Sequence, residues 1–385
     1  MRTFEGQTLV YQSYSISSFM SGKNQLAYLN FTGVVSDTPS SDESLDVEVI
    51  DGKYYLKSLG NSRIMLNGFA IDSNLFPANK FELGGMIAEE LAVSIMNYDG
   101  ALSTFDFKNK FVDVSVAPDD QYTDPHLLAV RFGRFFISDV KKENGNIRIS
   151  GLSIDSKLDS QVNWSQYTSV SYTLGSLLHK TCELVEYTVP SSVNNSNMPV
   201  SVPNGMMTYR QLFRYIAQLA GGFGRIRYAD QYGFEIASFS SSQMMTNELD
   251  DGNIYNLGDC GDEAKLTNVT LYSSDSGVGY GANTSNTNGF NIVVSNNPLF
   301  KTSNFPDGTQ IVQYVLGVRD ANGTNFKFMP YNCETNPIPW VEPGDKIKLT
   351  HHGVTHNTIV TRITFYLNDL MHIEAMNPDD ASAFY

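Results

Sequence analysis

The sequence predicts an α+β, mainly β protein: two antiparallel barrel-like β domains with an α/β helix–hairpin module set between them. Short runs in which apolar and polar residues alternate recur early and late in the chain, as in "EELAVSIM" and "TIVTRITFYL". A two-residue period is that of a half-buried strand. Tyr and Phe occur 21 and 23 times, and both favour strands. Against this background one stretch, "TYRQLFRYIAQLAGGFGRIRYADQYGFEIASF" (208–239), has the period of an amphipathic helix and then that of a hairpin.

Residues 1–62 form an N-terminal β segment. Its strand candidates are "LVYQSYSI", "LAYLNFTGVV" and "LDVEVIDGKYYLKSL", with the polar loop "SDTPSSDES" between the last two. Residues 63–160 are the first barrel-like domain. There "EELAVSIMNYDG" alternates Leu91, Val93 and Ile95 and stops at a Tyr-Asp-Gly turn, and "NKFVDVSV" alternates Val112, Val114 and Val116. "FGRFFISDVKKENGNIRISGLSI" holds two strands about an Asn-Gly turn, a pair that tolerates positive φ. Residues 161–245 are the helix–hairpin module. Thr173 is placed to cap a helix with Leu174, Leu177, Leu178, Thr181 and Val185 on one face. Thr208 and Gln211 have capping-box spacing before a second helix. On it Tyr209, Leu212, Phe213, Ile216, Leu219 and Ala220 face the core and Gln218 faces solvent, and Gly221 and Gly222 end it. Residues 246–385 are the second barrel-like domain with a C-terminal tail. Its strands are "AKLTNVTLYSS", "GFNIVV", the Pro-Gly turn and strand "EPGDKIKL", and a closing hairpin of "TIVTRITFYL" with "LMHIEAM". The period of "IVQYVLGV" fits either strand or short helix.

The formal net charge is −15 and there is no basic run, which argues against a partner gripped through phosphates. No apolar run approaches the length of a membrane-spanning helix, and the first residues lack the apolar core of a signal peptide. Cys182, Cys260 and Cys333 are odd in number and far apart, so no disulfide framework is expected.

No catalytic constellation emerges. His351, His352 and His356 in "HHGVTH" are close enough to raise the question of a metal, but no carboxylate or cysteine lies inside that loop, so it reads as an exposed polar turn. "GVGYG" (277–281) lacks the helix and Lys-Ser/Thr of a phosphate loop and reads as a flexible loop. Glu89 and Glu90, and Asp250 and Asp251, are sequence neighbours. On a strand such neighbours point to opposite faces and cannot flank one bond. No catalytic, cofactor-binding or metal-binding residue is therefore assigned, and no cofactor is expected.

Four stretches together resemble the tail hub proteins of tailed bacteriophages, including the amino-terminal structural module of tail-associated lysins. They are "FELGGMIAEELAVSIMNYDGALSTFDFKNKFVDVSV", "FGRFFISDVKKENGNIRISGLS", the 208–239 stretch, and "NNPLF" with "NPIPWVEPGDKIKL". They spread over about residues 63 to 378. The resemblance implies a structural, trimeric baseplate hub that joins the tail tube or distal ring to the tip and surrounds the DNA exit channel. Its implied partners are itself as a homotrimer, the distal tail or baseplate ring protein, a tail tube or tape-measure protein, tip or receptor-binding proteins, and DNA that passes without specific binding. The implied location is the virion tail tip, assembled in the host cytoplasm. Residues 1–62 are longer and richer in strands than the family pattern. Lysin members carry a hydrolase or adhesive extension downstream; with none after Tyr385, no enzymatic activity is expected. The alternative is a receptor- or carbohydrate-binding β protein of the virion, although the chain has only Trp164 and Trp340 to build an aromatic platform. "NKFVDVSV" and "DKIKL", each followed by a closing hairpin, suggest that the two β domains are repeats of one unit.

Overall fold

The computed structural model describes residues 16, 18–22, 24–39, 42–76, 82–119, 128–143, 145–153, 156–168, 171–203, 205–228, 231–238, 247–258, 261–283, 289–305, 311–312 and 327–377. The strand candidate at 9–16 (except Ile16, which is helical), Cys260, most of "IVQYVLGV" and the tail from 378 lie outside them. Ile311 and Val312 are helical and buried.

The protein is mainly β with an α+β fold, as the sequence predicts. Its frame is a 13-stranded sheet. Five of its strands form a first set: β1 (Ile64–Asn74), β2 (Glu89–Met96), β3 (Phe111–Pro118), β4 (Val130–Glu143) and β5 (Asn146–Leu152). The late part contributes β6 (Ile254–Leu257), β7 (Tyr331–Thr335), β10 (Arg362–Tyr366) and β11 (Met371–Ala375), while β8 (Lys346–His351) and β9 (Val354–Ile359) lie in a smaller sheet between β7 and β10 in the chain.

The two sets share one topology. In the first, β1 pairs with β2, β2 with β5, β5 with β4, and β4 with β3, all antiparallel. In the second, β6 pairs with β7, β7 with β11, β11 with β10, and β9 with β8, again antiparallel. The difference lies in the fourth strand. β4 runs unbroken, its first half on β3 (Phe111↔Phe136 to Val116↔Val130) and its second half on β5. Its counterpart is cut at Val360–Thr361 into β9 and β10. Val360 N–H donates to Asp345 O (2.8 Å) and Val360 O accepts from Gly344 N–H (2.7 Å), while Thr361 N–H donates to Glu374 O (2.7 Å) and Thr361 O accepts from Leu75 N–H (2.8 Å). These bonds pull the two residues toward different sheets.

This break corrects the expectation of two barrels. Freed from β8, one edge of β10 pairs with β1, Arg362↔Asn74 through Tyr366↔Ala70. The ladder therefore continues from one strand set into the other as an open sheet instead of closing on each. Beyond β3 it runs on through Gln25–Thr32 and Lys53–Leu59, and its far ends are β6 and Val35–Ser36.

Most local expectations hold. The run "LDVEVIDGKYYLKSL", read as one strand candidate, is two: Leu45–Ile50 and Lys53–Leu59 form a hairpin about Asp51 and Gly52, both at positive φ (52° and 76°). At the Asn97–Gly100 turn, Gly100 N–H donates to Asn97 O (3.0 Å). Asp99 there pairs with buried Arg63, which also holds Asp42. The hydrogen bond from Arg63 keeps the Asp99 carboxyl far below its ordinary value of 3.8, with help from the Ala101 amide. "GVGYG" is no free loop: from Gly279 it enters a strand, Gly279–Asn283, paired with Ala264–Tyr272.

In the module, α1 (Leu174–Val185) and α2 (Tyr209–Leu219) start at capping boxes on Thr173 and Thr208. Their expected faces are buried. Gly221 takes the left-handed position (φ 73°), whereas Gly222 already belongs to the next strand, Gly222–Tyr228. The surprise is Gln218, which the helical period puts on the solvent face. It is only 7% exposed. The segment at Leu83 covers it, taking its side-chain N–H on the Leu83 carbonyl (3.2 Å), and its Oε1 accepts from Asn297 Nδ2 (3.0 Å).

Leu219→Ala should therefore cost about 2–5 kcal/mol by leaving a cavity. Gln218→Ala should cost about 1–3 kcal/mol by leaving buried partners unsatisfied. Denaturant titration of both variants checks this; a Gln218→Ala loss near zero would mean that the helix packs otherwise. Asp99 gives a pH signature. Its folded pKa is depressed, so its contribution is present above the unfolded value and is lost as pH falls from about 5 toward 2. Asp99→Asn should lower the melting temperature at pH 7, and the gap to the parent should close on acidification.

Candidate functional site

Three parts of the chain meet at the hairpin Gly222–Tyr228/Tyr232–Ser238. Arg225 and Arg227 sit two apart on the first strand and so project from the same face, and Glu235 stands directly opposite Arg225. Behind them the turn of "VEPGDKI" brings in Glu342. Gly344 (φ 93°) allows that turn, because a Cβ there would lie 2.0 Å from the Phe223 ring.

Glu342 is the hub of the charges. Arg225 donates from Nη1 to Glu342 Oε2 (2.8 Å) and from Nη2 to Pro343 O (2.5 Å). Arg227 donates to both Glu342 oxygens (2.9 and 2.6 Å) and from Nε to Glu235 (2.6 Å). Arg225 and Glu342 are 7% and 4% exposed. Burial works against the Arg227 charge, but Glu342 and Glu235 outweigh it and hold the guanidinium above its ordinary value. The group borders a cavity of about 320 Å³ that also reaches Glu89, Arg131 and Ser153 of the first strand set. The segment that follows Leu83 supplies Met86–Ile87, which pairs in parallel with Gly224–Arg225. The joint thus ties the module to the Glu342 turn through buried, paired charge and to the early part of the chain through backbone pairing.

The seam β10–β1 carries a second fastening. Arg362 grips the Asp72 carboxylate with Nε and Nη2 (3.1 and 3.2 Å), and Thr364 Oγ1 donates to it (2.8 Å). The Asp72 hydrogen bond raises the Arg362 pKa.

The structure places the other residues singled out in the sequence as follows. Glu89 is buried and Glu90 exposed, on opposite faces of β2 as strand geometry requires. Asp250 and Asp251 lie in a turn, where Asp250 accepts from Gly252 N–H (2.9 Å) and Asn253 Nδ2 (3.0 Å). Asp251 reaches the hairpin of "HHGVTH". Its Oδ1 lies 2.6 Å from His351 Nδ1, and its two oxygens accept from His352 N–H (3.2 and 3.1 Å). That backbone bond, ahead of His351, lowers the Asp251 pKa. His356 stands opposite Leu349 on β9, outside this group. Cys182 and Cys333 are buried, and burial pushes the Cys182 thiol up to about 12. Trp340 is packed edge-on to Phe19 in the core, and Trp164 donates to Gly205 O (2.7 Å), so the tryptophans build no shared platform. Among the described residues no helix is long and apolar enough to cross a membrane.

Sequence reasoning missed Glu342 and Asp72, and it singled out Asp251 without joining it to the histidines. The visible signals were the doublet Arg225/Arg227 with Glu235 across its hairpin and the acid before the Pro-Gly turn. Their partners are 100 or more positions away.

No family model and no curated protein matches the chain. Solved structures do. A tail protein from Neisseria meningitidis MC58 matches with a TM-score of 0.51 at 12% identity, covering 92% of this chain and 99% of that one. The 43 kDa tail protein of prophage MuSo2 from Shewanella oneidensis reaches 0.49 at 14% identity, covering 90% and 99%. An E. coli component of the type VI secretion system, described as structurally similar to T4 bacteriophage tail proteins gp27 and gp5, reaches 0.39 at 9% identity, covering 86% and 76%. Of these three the Neisseria protein passes 0.5, and at that identity the likeness is one of fold: this chain has the fold of that tail protein.

Glu342→Ala should cost about 3–5 kcal/mol, since it strands two guanidinium groups at a buried joint. Lys348→Ala, which removes an exposed pair with Glu248, should cost about 0–1 kcal/mol. Equal losses by chemical denaturation would show that the joint carries no special load.

Proposed function

We propose that the chain is a structural hub protein at the tail tip or baseplate of a phage or tail-derived particle. It works as a homotrimer that joins the tail tube or distal ring to the tip and surrounds the channel through which DNA leaves. One observation carries the proposal: two strand sets of the same pairing order are joined inside one chain by the β10–β1 seam. A sixfold tube meeting a threefold tip needs a part that is threefold in chains and sixfold in units, and closed symmetric assemblies need matching interfaces. A chain with two like units meets that need. The division into an N-terminal segment (1–62), a first β domain (63–160), the helix–hairpin module (161–245) and a second β domain (246–385) belongs to this reading.

The seam also suggests how copies meet. On β4, β3 and the residues just before it reach as far as Ile137, so beyond it the described part of the strand pairs with β5. That edge is the counterpart of the β10 edge that β1 occupies. The counterpart of β1 is β6, which lies at the outer end of the sheet with Tyr255 63% exposed. In the proposed ring, β6 of one copy adds to the β4 edge of the next and repeats between chains the seam found within each. Strand addition of this kind supplies main-chain hydrogen bonds over an edge that otherwise invites aggregation.

The net charge of −15 fits a channel wall to which DNA does not stick. Mechanism here is assembly and gating, with no covalent chemistry. The ring protein, tube or tape-measure protein and tip proteins are its partners in the virion.

Light scattering of the purified chain, alone and with its tail partners, should give a trimer in at least one condition. A stable dimer, or a monomer in both, would sink the reading. A zymogram on peptidoglycan should show no band at the chain's mass; a band abolished by a point mutation would make the chain an enzyme.

A further inference from the structure

We propose that Asp251, His351 and His352 form a binding site for a divalent transition-metal ion, zinc first among them. One nitrogen of each imidazole and one oxygen of the carboxylate lie within 4.8 Å of one another. With ordinary metal–nitrogen and metal–oxygen distances of about 2 Å, an ion drawn among them needs only small side-chain adjustments. Two imidazoles and one carboxylate suit zinc, copper, nickel or iron(II), whereas calcium and magnesium take oxygen ligands.

The fold preorganises all three. Asn247–Leu249 pairs in parallel with Ile347–Leu349 of β8, so the turn after the first and the hairpin after the second emerge side by side. The first turn is held by Asp250, which accepts from Gly252 and Asn253. The second is a two-residue turn, His352–Gly353, with φ of 50° and 77°. Asn would occupy the first of those positions with less strain than His. The imidazole sits there nonetheless, with its ring centroid 3.9 Å from that of His351. The Asp251 oxygens already take the His352 amide, which fixes the carboxylate beside both rings. All three groups reach the surface, so an ion has a way in and keeps coordination positions open to water. A bound ion fastens the turn that leads directly into β6, the outer edge strand of the main sheet. The site does not depend on the hub reading.

The test is titration of zinc chloride into tag-free full-length protein, followed by calorimetry, with cobalt(II) as a visible-absorption probe. One saturable site per chain and a ligand-field band on adding cobalt are expected. His351→Ala, His352→Ala and Asp251→Asn should each weaken binding by more than about tenfold, a loss that even outer-shell partners of a metal can carry. His356→Ala should bind as the parent does, and calcium and magnesium should give no saturable signal. Melting curves of the metal-free variants, with their substitutions on exposed turns, confirm that they are folded. Absence of saturable zinc binding, or equal weakening by His356→Ala, would overturn the site.

Discussion

The architecture turns on two peptide groups. At Val360–Thr361 the chain leaves one sheet for another, and each residue finds backbone partners on its own side. The Thr361 carbonyl takes the Leu75 amide, and with the β10–β1 register that follows it carries the ladder from one strand set into the other. Buried backbone groups must be paired, and here two neighbouring residues meet that demand on different sheets. The Asp72–Arg362 grip and the Glu342 joint then lock a connection that the backbone has already chosen.

Much of the fold was legible because it is local. Capping residues at Thr173 and Thr208, the Tyr-Asp-Gly turn at 98–100 and the alternation in β2 and β3 announce themselves within a few positions. Gln218 was misread for a plain reason. A helical wheel knows one buried face, and α2 has a second neighbour, the Leu83 segment, arriving from 135 residues away. The barrels were misread because alternation identifies strands without saying what each edge meets. Register between distant strands has no sequence signal short of the partners themselves.

The same limit hid the Asp251 group. Three histidines in a short hairpin raise the question of a metal, and only the parallel pairing of Asn247–Leu249 with β8 supplies the acid. The repeat was half visible. Two similar strands, each followed by a hairpin, pointed to it, while the shared order of five strands became plain only once pairing was known. The internal break in the fourth strand disguises the likeness in the second copy.

The seam also sets a clock. Its two strands are 290 residues apart at Asp72 and Arg362, and contacts of such separation bear the largest loop-closure cost and form late. Synthesis runs from the amino end, so the first strand set, the helices and most of the second set are all made before β10 emerges. Until then the edge of β1 stays unpaired. Completion of the main sheet is thereby reserved for a chain translated past Tyr366, and a chain terminated before β10 lacks the strand that joins the two sets.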